Sequence, residues 1–191
     1  MASLKNKQNL VWLDLEMSGL DPNAHTIVEI ATLITDNELN ILAEGPVIAI
    51  HHNEETLSKM EAWSLKTHTQ SGLLQRIMDS PITMLFAEEQ TLEFVSRYCP
   101  AKTSPLCGNS IGHDRRFLER YMPKFYDYLH YRSVDVSTVK ELVARWYPKG
   151  IALPKKKAAH LALEDIHESI REMKFYREHY FIKPESISLV S

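Results

Sequence analysis

The chain has 191 residues, 44% apolar and 25% charged, which are the values of an ordered globular protein long enough to bury a sizeable core. A formal net charge of −3 excludes the broad basic face that binders of long nucleic acid carry, but it leaves room for a short anionic ligand. Cys99 and Cys107 are too few and wrongly spaced for a disulfide framework or a zinc site, so both are expected to pack as reduced thiols. Residues 1–7 lack the apolar core of a signal peptide, and no apolar run approaches the roughly 20 residues of a membrane span. A cytoplasmic protein without membrane association is expected. No repeat, low-complexity segment or linker divides the chain, so residues 1–191 are read as one domain with short tails.

In chain order, residues 9–22 (NLVWLDLEMSGLDP) come first, an apolar run interrupted by two acids and closed by a turn. As a strand it places Trp12, Asp14 and Glu16 on one face and Val11, Leu13 and Leu15 on the other, with the carboxylates roughly 7 Å apart. Repulsion and desolvation of such a pair must be offset. Either a hard divalent cation with oxygen ligands does so, or the acids stand at an exposed strand end and cap neighbouring backbone. Residues 18–23 are dense in turn formers, and residues 26–35 read as a second, largely buried strand. After a turn at Asp36, Asn37 and Glu38, residues 39–42 continue towards residues 47–50 and complete an antiparallel meander. Residues 60–74 read as two short helices broken near Gly72. A longer helix follows Pro81, with Leu85, Leu92, Val95 and Cys99 as its expected stripe and Pro100 as its stop.

Residues 105–109 read as a short strand and turn leading into a helix over 111–122. There Ile111, Asp114, Leu118 and Tyr121 share one stripe, so Asp114 faces inward. A carboxylate in that position is bound to metal or paired, Arg115 and Arg116 being the candidate partners. Residues 131–136 suggest another strand. Residues 137–146 suggest a helix capped by Ser137 and ended by Pro148, Lys149 and Gly150. The last helix runs from near Leu161 to about Phe181 with Leu163, Ile166, Ile170 and Met173 as its core stripe. His160 precedes Asp165 by five positions, about 140° around a continuous helix. The two can cooperate only if His160 stands in the loop at the helix entrance. Alternatively His160 is an exposed partner of Glu164, and Lys155, Lys156 and Lys157 before it form a solvated turn.

Asp14, Glu16, Asp114, Asp165 and His160 together have one coherent chemistry. Two magnesium or manganese ions roughly 4 Å apart can activate a water and stabilise the leaving oxygen of a phosphodiester, while a neutral histidine takes the water's proton. An all-carboxylate shell suits such hard cations. At these residues the chain resembles the DEDDh group of 3′-to-5′ exonucleases, and the five-residue spacing of His160 and Asp165 matches the histidine-type third motif. Residues 12–22, 108–118 and 131–137 make it more closely similar to the oligoribonuclease family, a resemblance that covers roughly residues 9–182.

That resemblance implies an α/β fold like ribonuclease H, a mixed sheet flanked by helices. It also implies a homodimer that cleaves very short RNA, dinucleotides above all, to mononucleotides. By matching position, Asp14, Glu16, Asp114 and Asp165 are expected to hold metal and His160 to act as general base. Leu20 is expected to wedge between two bases, with Trp63 and His68 lining the pocket. Ser110, Arg132 and Ser137 are expected to bind phosphate, and Tyr131 and Arg132 to reach the site from the partner subunit. Aromatic stacking tolerates any base and Arg132 can grip a phosphate with two donors, so these side chains suit a non-selective enzyme for short substrates. Two rival readings share the core: a proofreading-type DNA exonuclease, and a catalytically silent nucleotide-binding module. Against silence, all five catalytic positions carry competent residues.

Overall fold

The computed structural model describes residues 5–151 and 161–182. The apolar run with two acids forms β1 (Leu10–Met17), the second strand forms β2 (Ile27–Thr35), and β3 (Ile41–Ala49) completes the meander. Every residue of β2 is buried, so this strand reads as a continuous apolar run with no polar face. Two short strands follow downstream, β4 (Leu106–Gly108) and β5 (Ser133–Asp135), giving a five-stranded sheet in the order β3-β2-β1-β4-β5. β1–β2 and β2–β3 are antiparallel, and β1–β4 and β4–β5 are parallel. The architecture is thus the expected mixed α/β sheet flanked by helices.

The pleat of β1 sorts its side chains between two cores. Val11, Leu13 and Leu15 pack with Phe94, Val95, Leu118 and Phe125 on one face of the sheet. These last four belong to α4 (Met84–Tyr98), α5 (Gly112–Tyr121) and α6 (Pro123–Tyr128). Trp12 packs on the other face with Ala31, Leu33 and Cys107 against Val136, Ile166, Ile170 and Tyr176. Val136 begins α7 (Val136–Trp146), and the other three lie on α8 (Ala162–Tyr180). Asp14 and Glu16 share the Trp12 face and therefore lie on the α8 side of the sheet. β1 and β4 are paired only through Val11–Leu106 and Trp12–Cys107, and beyond that point they part. A crevice opens there, at the carboxyl ends of parallel strands, the usual place for a ligand in an α/β sheet.

The helices after β3 are α1 (Glu54–Leu57), α2 (Ala62–Gln70) and α3 (Leu73–Asp79), and the break between α2 and α3 falls at Gly72 with φ +75°. A left-handed residue is the ordinary helix stop, and glycine adopts it without strain. The stripe expected on α4 holds at Val95 and Cys99, which are buried, and at Leu92, which packs against the core, but Leu85 is exposed and Ala87, Glu88, Thr91 and Phe94 complete the inward face. Glu88 can sit inside because its carboxylate accepts the Lys124 and Phe125 N–H groups at 2.7 and 3.1 Å, capping α6. The α7 cap also differs, since Asp135 accepts the Ser137 N–H at 2.9 Å and so displaces Ser137 from the capping role. No described helix is long and apolar enough to cross a membrane. His160, the lysine-rich lead-in and the tail beyond residue 182 lie outside the described residues.

Candidate metal centre and its cleft

Asp14, Glu16 and Asp165 each offer a carboxylate oxygen within 4.8 Å of the others. β1 supplies the first two from one face. The first turn of α8 supplies the third, at a helix N-terminus whose dipole favours an anion. Asp114 stands at the start of α5 and is buried, as its stripe predicts. Its partner is neither Arg115 nor Arg116: Asp114 Oδ1 accepts the Leu15 N–H at 3.0 Å, in the gap where β1 and β4 have separated. Arg115 points away, to Ser133 Oγ and the His130 carbonyl.

These acids resist ionisation for stated reasons. Burial pushes Asp14 well above the usual carboxylate range, and the charges of Asp114, Glu16, Asp165 and Glu29 add to the effect. Burial, then Asp165, Glu29 and Asp114, raise Glu16 to about 8, with Arg76 pulling the other way. Asp114 is raised to about 7, mainly by burial, against the stabilising Leu15 N–H. Converging oxygens that repel one another and are shielded from water are what a hard divalent cation relieves, so the donor set fits such an ion.

Sequence reasoning passed over Glu29. It lies directly opposite Glu16 across β1–β2, is 1% exposed, and is raised by burial. Arg76 of α3 answers it, with Nη1 2.7 Å from Glu29 Oε1. The signal was present as a lone acid inside an otherwise apolar strand.

Floor and walls of a cleft of about 400 Å³ are formed by Asp14, Glu16, Asp114, Leu20, Trp63 and Ser110, with Glu61, Asn109 and His113 among the other lining residues. Leu20 on the turn after β1 and Trp63 on the first turn of α2 are each 63% exposed. His68 does not line the cleft as expected. It is buried behind the strand, its Nε2 bonded to the Met17 carbonyl at 2.9 Å and its Nδ1 3.9 Å from Glu16 Oε2. Five residues along α2 rotate a side chain by about 140°, so Trp63 and His68 cannot face the same space.

A second depression of about 380 Å³ adjoins the cleft through Ser110 and His113, and Arg116, Asp135 and Ser137 line it as well. Asp135 organises this corner: its Oδ1 accepts the Ser110 N–H at 3.0 Å, the Ser137 N–H at 2.9 Å and the Ser137 hydroxyl at 2.6 Å. Ser110 takes φ +53° there. Tyr131 and Arg132 border neither space. Both are exposed, Arg132 Nε donates to the Tyr131 hydroxyl at 3.0 Å, and the Tyr131 ring stacks on His130 at 4.4 Å.

Comparison with known proteins agrees with this geometry. An exonuclease family of the RNase T type matches residues 11–173. The protein named oligoribonuclease in Pseudomonas savastanoi pv. phaseolicola is 59% identical over 181 residues, 95% of this chain and 100% of that protein. Its namesake in Pasteurella multocida is 55% identical over 175 residues, 92% of this chain and 95% of that one. Among solved structures, E. coli exonuclease I in complex with an oligonucleotide superposes over 91% of this chain with a TM-score of 0.68 and 17% identity. Exonuclease I of Methylocaldum szegediense does so over 90% with a TM-score of 0.69 and 18% identity. This chain spans 41% of the length of either, and at those identities the likeness is one of fold.

Proposed function

The chain belongs to the RNase T exonuclease family and, within it, to the oligoribonucleases, so it is a 3′-to-5′ exoribonuclease of short RNA; on that premise we propose that it hydrolyses dinucleotides and very short oligonucleotides to 5′-mononucleotides. The observation that carries this reading is the convergence of Asp14, Glu16 and Asp165 oxygens within 4.8 Å beside a cleft of about 400 Å³ that Leu20, Trp63 and Ser110 line.

Asp14, Glu16 and Asp165 would hold divalent metal, with Asp114 as a further carboxylate from the β1–β4 crevice. When bound, magnesium or manganese supplies a water acidic enough to attack phosphorus and stabilises charge on the leaving oxygen. The chain's own part is to bind, orient and move a proton. His160, as the neutral imidazole, takes the proton of the attacking water. Leu20 inserts between the two bases and Trp63 stacks on one of them, a contact worth about 1–3 kcal/mol for any base. Ser110 donates its hydroxyl to phosphate from the corner that Asp135 arranges, and Ser137 does the same by turning its hydroxyl proton from Asp135 Oδ1 to the substrate. His68, placed behind Glu16, steadies that carboxylate and does not touch the substrate.

Tyr131 and Arg132 act across a homodimer, in the partner's site. Their exposure and their absence from the lining of both depressions support that assignment. A cytoplasmic location and a single catalytic domain complete the reading.

Product analysis on a ladder of RNA lengths with magnesium present tests it. The dinucleotide is expected to turn over fastest, with mononucleotides as the only products. Faster degradation of long single-stranded DNA would overturn the substrate assignment and favour the proofreading-type alternative.

A further inference from the structure

The turn bearing Leu20 is fastened on two sides. On the α5 side, the Tyr121 hydroxyl lies 3.0 Å from the Pro22 carbonyl and 2.6 Å from that of His25, and Arg120 Nη1 donates to Asn23 Oδ1 at 3.1 Å. On the α2 side the imidazole of His25 occupies the space between the turn and the helix. Its Nδ1 accepts the Asp21 N–H at 3.2 Å, which leaves the ring proton of the neutral form on Nε2. That nitrogen faces Glu61 Oε1 at 3.7 Å, on the residue just before α2 and two positions from Trp63. The ring also lies flat against Gly19. A Cβ there would stand 2.6 Å from three ring atoms, so this approach requires glycine. Gly19, Leu20, Glu61 and Trp63 all line the cleft, and His25 touches or neighbours each segment that carries them.

We infer that His25 is a positioning residue that sets the separation between the Leu20 turn and the α2 wall carrying Trp63, and so fixes the width of the slot that receives the two bases of a dinucleotide. The inference rests on the proposed role of Leu20 as the wedge between bases. His25 has no contact with the reacting atoms in this arrangement. It acts through the slope of the turn, so its loss misplaces the wedge and leaves the carboxylates undisturbed. An interaction of that kind is felt in substrate binding, with KM rising and kcat holding.

The test uses the full chain with manganese and a ribodinucleotide. His25→Ala is expected to raise KM about tenfold, the scale of a small misplacement of a binding group, while manganese affinity by electron paramagnetic resonance stays at the wild-type value. His25→Asn, whose amide oxygen can stand where Nδ1 stood and accept the Asp21 N–H but whose shorter side chain leaves the space towards Glu61 unfilled, is expected to recover only part of the loss. His25→Gln places its oxygen nearer the Nε2 position, forfeits the Asp21 bond and is expected to resemble alanine; this pair decides the matter even if the alanine variant folds poorly. In a Leu20→Ala background, where KM is already raised, His25→Ala is expected to add nothing. If His25→Ala and His25→Gln leave KM unchanged while Leu20→Ala raises it, this inference fails alone. If Leu20→Ala leaves KM unchanged, the wedge reading fails and this inference with it. Parallel loss of manganese binding and melting temperature in the histidine variants would show a general structural role and also overturn it.

Discussion

Glu16 shares with Asp14 the electrostatic cost of gathering acids in a buried site. Its carboxyl titrates near 4.5 in an unfolded chain and near 8 in the fold. Between those values the folded state binds the extra proton, so raising pH through this window stabilises the unfolded chain relative to the folded one. The Glu16 contribution to stability without metal is therefore expected to fall as pH climbs from about 4.5 to about 8, and the raised Asp14 acts in the same direction. A bound cation removes the cause. The rise in melting temperature produced by saturating magnesium is accordingly expected to grow across the same window. Melting curves at pH 5, 6.5 and 8 with and without magnesium check this, and equal shifts at all three would contradict it.

Single substitutions should divide the site into its parts. Asp14→Ala is expected to abolish turnover together with the magnesium-dependent melting shift, whereas His160→Ala is expected to abolish turnover and keep the shift. An active Asp14→Ala protein would sink the mechanism. At this scale the sequence was informative where a residue type was out of place: Asp14, Glu16 and Asp114 each interrupt an apolar pattern. It was uninformative for His68, because the rotation of α2 about its own axis is set by what packs beneath it and not by the identity of the residue.

Among elements, α3 is tied to the sheet by Leu73 and Ile77 packed with Val28 and, beside them, by the Glu29–Arg76 pair. Glu29 is 1% exposed while the Arg76 side chain is 43% exposed. Removing the cation strands a buried anion beside Glu16, whereas removing both charges does not. Arg76→Met is expected to cost about 2–3 kcal/mol of unfolding free energy, somewhat below the loss for a fully buried pair because Arg76 is partly wet. Adding Glu29→Gln is expected to restore most of it. Urea denaturation of the two variants measures this, and a double variant no more stable than Arg76→Met would refute the account. The strands were readable because their burial follows simple rules, alternation in β1 and a continuous run in β2. The inward face of α4 was only partly legible, with Leu85 misplaced, because it includes Glu88 and Thr91, polar residues that hydropathy assigns to solvent. Glu88 is paired with α6, an element the sequence did not announce, so the error in one helix and the omission of the other have a single cause.

For the molecule as a whole, the modest negative charge suits a substrate with one internal phosphate. Neutralising so few phosphates releases few counterions, so the KM for a dinucleotide is expected to depend only weakly on salt. The proposed sharing of the site between two subunits makes a sharper prediction. Asp14→Ala and Arg132→Ala homodimers are each expected to be inactive, and mixing them with exchange of subunits is expected to recover activity, because one of the two sites in a heterodimer then has all its parts. No recovery under conditions where exchange is verified would contradict a shared site. The antiparallel meander of β1, β2 and β3 was legible from its apolar runs and turns, whereas the mixed sheet that β4 and β5 complete was expected only from the family resemblance. The course of the chain just before α8 was not, since its lysines and alanines carry no periodic signal.

The three-residue β4 has a further consequence. Had it continued past Gly108, the parallel ladder would have offered the Leu15 N–H a carbonyl near residue 109, and the sheet would have zipped up one rung further. The left-handed Ser110 prevents that continuation, and a carboxylate from α5 fills the missing rung. The backbone thus reserves one donor to anchor an acid. A substitution that let residues 109–110 extend, such as a β-branched pair, would damage the enzyme by completing its secondary structure.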